Sequence, residues 1–147
     1  MNAPLDPVSA GAQAAGLLEE ACRSARASSL QLKVVRDLAL DIRRQLGALA
    51  GLAREDAAPD ILAEAALRCA DLAIIAACNV AELPPGEAAL AVEAARLAAG
   101  ALRALRSLVE AAGQQEGEHT SNLLRDVQSA AWRAEFAAKL VKWEPSR

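Results

Sequence analysis

Aromatic residues are nearly missing from this 147-residue chain, which has two tryptophans, one phenylalanine and no tyrosine. Platforms on which nucleic-acid bases stack, or rings that line a substrate pocket, have almost no material from which to be built. Histidine is rarer still, with His119 alone, and one imidazole cannot make up the ligand set of a catalytic metal site. Positive charge is not in excess either: 16 Lys and Arg stand against 19 Asp and Glu, a formal net charge of −3. Without a broad positive field, neither nucleic acid nor membrane is expected as a partner. Long apolar runs are absent, since the longest, Leu72 to Cys78, falls far short of the ~20 residues a bilayer span needs. Residues 1 to 16 show no basic stretch leading into an apolar one, so the expectation is a soluble, cytoplasmic protein.

What fills the chain instead is alanine, within a composition that is 54% hydrophobic. Alanine is the strongest helix former, and the β-branched and aromatic residues that favour strands are few, so an all-α fold is predicted. A chain of this length fits one domain that hides roughly 70% of its unfolded surface. The three cysteines, Cys22, Cys69 and Cys78, sit within apolar helical patterns and read as small core residues. Cys69 and Cys78 are nine positions apart and so point about 180° away from each other on a helix. They cannot share a metal.

Four stretches repeat an apolar residue at alternating steps of three and four, the period of a left-handed helical bundle. The first is Leu32, Val35, Ala39, Ile42, Leu46, Leu49, Ala53; the second is Leu62, Ala66, Cys69, Ala73, Ala76, Val80. The third is Leu90, Ala94, Leu97, Ala101, Ala104, Leu108, Ala111; the fourth is Leu123, Val127, Ala130, Ala134, Ala137, Val141. Pro59-Asp60, Pro84-Pro85-Gly86-Glu87 and the segment from Gly113 to Thr120-Ser121 separate them with helix-start and helix-stop residues. Helices are therefore predicted near residues 29 to 54, 59 to 82, 86 to 113 and 119 to 142, each about 36 to 42 Å long. Matched lengths and short loops predict an antiparallel four-helix bundle over residues 28–143.

Ahead of it, Asp6-Pro7 starts a further helix, with residues 1–6 as a tail. Ala15, Leu18, Cys22, Ala25 and Ser29 run in phase with Leu32, which leaves open one long helix over 7–54 or two. Ser28 with Gln31 forms a capping-box pattern, favouring a break there and an additional N-terminal helix at 7–27, free to cover another surface.

The last helix has two apolar faces. Trp132, Phe136 and Trp143 lie within about 40° of one another, opposite the small fourth seam. One face suits a core. The other suits either packing against residues 7–27 or an interface, with Trp132, Phe136 and Trp143 as anchors and Arg125, Gln128 and Lys139 as a polar rim.

Other polar features read as structural. Glu116 and His119 have the Glu-x-x-His spacing of di-iron bundles, but Gly117 interrupts them and there is no second copy, so no metal or cofactor is expected. Lys33, Asp37, Asp41 and Arg44, the pair Glu64 and Arg68, and the third-helix stripe from Glu93 through Arg96, Gly100, Arg103, Ser107 and Glu110 to Gln114 have the spacing of wet helix faces. Arg36, Arg43 and Arg44 form the densest positive spot, blunted by neighbouring aspartates. Asn79 reads as a register residue at the core edge, and Gly47 with Gly51 as a point of close helix contact.

In the final third, NLLRD with Asn122 and Asp126, followed by Ala130-Ala131 and Ala134-Glu135, resembles the helical cyclodeaminase and cyclohydrolase family. LAGLAREDA at 49–57 and ELPPGEAAL at 82–90 are similar to that family's segments in the same order, while PVSAGAQAAG replaces its glycine-rich stretch. The resemblance implies a dimeric helical bundle acting on a folate, with Asn122 and Asp126 near a catalytic site. From the residues themselves, Asn122, Asp126, Ser129 and Arg133 form a polar strip beside the core face. The function expected from the residues is non-enzymatic: a bundle that self-associates as a homo-oligomer such as a dimer, or docks another protein, through its last helix.

Overall fold

A computed structural model describes residues 6–24, 30–50, 52, 58–113 and 118–141. Among them are five α-helices and no strand: α1 (Pro7–Ser24), α2 (Leu30–Leu49), α3 (Pro59–Asn79), α4 (Pro85–Gly113) and α5 (Glu118–Leu140), with a 3₁₀ turn at Val80–Glu82 between α3 and α4. The expected all-α bundle with one further helix is what forms.

Helix starts follow the local chemistry. Asp6 caps α1, its carboxylate accepting from the Ser9 backbone N–H at 2.9 Å and from Ser9 Oγ at 2.6 Å. Pro7 then supplies a fixed φ where no amide donor is needed. Pro59 plays that part for α3, after Ala58 held extended at φ −59° and ψ 141°, as a residue before proline prefers. Leu83 is extended before the start of α4 and closes the 3₁₀ turn by donating to the Val80 carbonyl at 3.2 Å.

α1 and α2 are two helices, because they lie side by side in opposite directions. Glu19 approaches Arg36 at 3.6 Å, and toward the other end Gly11 lies against Leu46. Ser28 falls outside the described residues, and the Gln31 amide donates to Asn79 Oδ1 at 2.8 Å. Asn79 in turn donates to the Ile75 carbonyl at 2.7 Å, so this buried side chain pins the start of α2 to the end of α3, the register role its position implied.

α3 and α4 make the most extensive pair; α1 packs along α2 and α4, and α5 lies against α3 and α4. α2 meets α3 only lightly and does not approach α4 or α5. α1 is an integral layer, burying Val8, Ala14, Ala15, Leu18, Ala21 and Cys22. Since α1 makes no close approach to α5, it does not cover the aromatic face that it was a candidate to cover.

Three seams sit where the periodicity put them: Leu32, Val35, Ala39, Ile42 and Leu46; Leu62, Ala66, Cys69, Ala73 and Ala76; Val127, Ala130 and Ala134 are all buried. Ala53 lies outside the described residues. The third seam holds in part: Ala94 and Ala101 are buried and Leu90, Leu97 and Leu108 pack against the core, but it drifts outward in the second half of α4. Ala104 and Ala111 are exposed, and α4 buries Ala91, Ala95, Ala98, Leu102, Leu105 and Val109. α4 touches three helices, so its buried arc is wide, and alanines on every face gave the period no contrast.

Two further expectations are corrected. Gly47 is exposed, with open space where a Cβ would be, and Gly51 is outside the described residues. The close approach occurs at Gly11, where a Cβ would lie 2.6 Å from Cys69 Sγ and 3.1 Å from Leu46 Cδ1. Cys78 is exposed: with Cys69 facing the core, a residue nine positions on must face out.

Candidate functional site

α5 meets its own chain through small residues. Val127, Ala130, Ala131 and Ala134 are buried against α3 and α4, which lets the helix axes approach closely. Half a turn away, Trp132 is 69% exposed, Phe136 54% and Leu140 66%. The two rings stack on each other, centroids 5.7 Å apart and planes 10° from parallel, which holds them as one flat apolar plate. Arg125, Gln128 and Lys139 are exposed beside them, as the spacing indicated. Trp143 lies outside the described residues.

The flank of this plate toward α4 is a basic cleft of about 300 Å³, where Arg96, Arg103 and Lys139 face the single carboxylate of Glu135. Of the other residues in that polar stripe, Glu93 and Ser107 are exposed and Gly100 and Glu110 half-buried, and Gln114 lies outside the described residues. On α2, Lys33, Asp37, Asp41 and Arg44 are solvated as read from sequence, and Glu64 pairs with Arg68 at 3.4 Å.

A second apolar surface escaped the sequence reading. Leu30, Val34 and Leu38 on α2 are all exposed, one helical turn apart. Their four-residue spacing is the sequence signal, and it runs directly alongside the first seam.

Two of the three thiols are withdrawn from solvent. Burial pushes the Cys69 thiol up to about 12, and burial together with Glu19 raises Cys22 against the pull of Arg36, which keeps both as inert thiols. Among the described residues no three His, Cys, Asp or Glu side chains converge as metal ligands, and no helix is long and apolar enough to cross a membrane. Glu116 and the His119 side chain are not described. Asn122, Asp126, Ser129 and Arg133 lie exposed along one flank of α5.

No family model, curated protein or solved structure matches the chain.

Proposed function

We propose that this chain is a non-enzymatic helical bundle that self-associates through the outer face of α5, with Trp132 and Phe136 as anchors and Trp143 extending the same face in sequence. The observation that carries the reading is the stacked, solvent-facing ring pair opposite a buried small-residue face. Monomers seldom leave large apolar residues grouped on one face. The exposed placement of Asn122 and Asp126 favours this reading over a folate-processing enzyme, whose acid and amide groups would work from an enclosed, concave site.

Magnitudes say what the plate can do. With aromatic side chains burying about 150–250 Å² each, the two rings expose on the order of 250 Å², or roughly 6 kcal/mol of gross transfer energy at about 25 cal/mol/Å². Association costs about 4–15 kcal/mol, so the rings can anchor a contact and its surroundings must complete it. Sedimentation of the wild type should show an oligomer, and Trp132→Ala combined with Phe136→Ala should return a monomer; an oligomer unchanged by these substitutions rejects α5 as the contact.

A further inference from the structure

The α5 plate calls for a surface of matching length and opposite charge, and the same chain carries one. Because α2 meets α3 only lightly, a groove of about 230 Å³ opens between them, lined by Leu38, Asp41, Ile42, Asp71, Ile74 and Ile75 among others. Its α2 shoulder continues as the exposed ladder Leu30, Val34 and Leu38. That ladder runs for about 12 Å at 1.5 Å per residue, the same length as Trp132, Phe136 and Leu140 on α5.

The charges are complementary. In the groove, Arg68 is held by Glu64 at 3.4 Å and by Asp71 at 3.6 Å, and Asp41 adds a further carboxylate, so acids outnumber bases. Around the α5 plate the balance is reversed, with Arg125 exposed on the stripe and Arg96, Arg103 and Lys139 against Glu135 beside it. A chain whose net charge is −3 has gathered cations at its aromatic face. The two surfaces cannot meet within one molecule, since α2 and α5 do not approach each other. Plate against plate would bring the exposed Arg125 and Lys139 side chains of both copies together, with the half-buried Glu135 beside them among the described residues, and like charges across a contact oppose it.

Building on the self-association reading, we propose that the α5 face of one copy docks into the α2–α3 groove of a second copy. The contact is heterologous: each molecule keeps one free plate and one free groove, and assembly continues until a ring closes or a chain extends.

The test uses two full-length variants altered only at exposed positions: a plate variant, Trp132→Ala with Phe136→Ala, and a groove variant, Leu38→Lys with Asp71→Lys. Mass is measured by sedimentation for each alone and for an equimolar mixture, after circular dichroism and melting confirm that both fold. The expected result is concentration-dependent oligomers for the wild type, monomers for either variant, and a heterodimer in the mixture, where one intact plate meets one intact groove. Loss of assembly in the plate variant but not in the groove variant overturns the groove and leaves the α5 reading standing as a plate-to-plate dimer. Two monomeric variants that stay monomeric when mixed also overturn the head-to-tail contact. A wild-type monomer, or a plate variant that still assembles, overturns both readings.

Discussion

Replacing Gly11 by alanine sets two effects of known size against each other. In a helix interior the change should stabilise by about 1 kcal/mol through backbone propensity. At Gly11, however, the new methyl would sit 2.6 Å from Cys69 Sγ and 3.1 Å from Leu46 Cδ1, and both of these fully buried side chains would have to shift within the core to admit it. Overpacking of this kind costs about 1–3 kcal/mol, so the net effect is a destabilisation of roughly 0–2 kcal/mol by these two terms. Gly47→Ala is the internal control, because its methyl meets nothing within 4 Å and only the propensity gain of about 0.5–1 kcal/mol remains. The two alanine variants should thus differ by about 1–3 kcal/mol, which at about 2–4 °C per kcal/mol separates their melting temperatures by roughly 2–12 °C. Urea titration gives the same comparison in free energy. A cycle with Cys69→Ala isolates the contact: removing the sulfur should make Gly11→Ala less costly by about 1 kcal/mol or more. Equal rises in melting temperature for Gly11→Ala and Gly47→Ala would refute the close approach of α1, α2 and α3.

Ala134→Leu, at a fully buried position of α5, should cost about 1–3 kcal/mol, whereas Ala104→Leu, exposed on α4, should stay within about 0.5 kcal/mol of wild type; comparable losses in thermal melts would return Ala104 to the core-facing seam. At Asp6, burial pushes the carboxyl up but the Ser9 hydroxyl and backbone bonds outweigh it and hold the group below its ordinary 3.8. Asp6→Ala should therefore cost about 1 kcal/mol at neutral pH. Since the folded value is the lower one, that difference should persist above the ordinary value and fade as pH falls through the folded value. A gap between wild type and Asp6→Ala that grows in acid would contradict the cap.

How much of this was legible beforehand depended on contrast between residues. Where leucine, valine or isoleucine marked one face, as in Leu32, Val35, Ile42 and Leu46, sequence and burial agree. On α4 the inward face is marked mainly by Leu102, Leu105 and Val109, while alanines lie on every side. A seam through Ala104 satisfied the spacing equally well, so only tertiary packing could decide. Pro59 and Pro85 sit at helix starts as read, because a ring that fixes φ and lacks a donor acts locally. The α5 plate was visible for the same reason, bulk set against smallness on one helix. The α2–α3 groove was not, because it arises from how lightly two helices meet, a distance between segments that no single-helix pattern encodes. Gly11 likewise looked like any other glycine until three helices were brought around it.

The alanine interior has a thermodynamic corollary. A methyl group has no rotamers to freeze, so ordering these side chains costs almost no configurational entropy, whereas long residues cost up to about 2 kcal/mol each. Each methyl also removes little surface from water, and cohesion must come from many backbones lying near one another. Ala14, Ala66, Ala73, Ala98 and Ala134 thus make an interior that can barely rearrange its packing without moving whole helices. Strain introduced at one point should spread as rod displacement, with little absorbed by local rotamer adjustment.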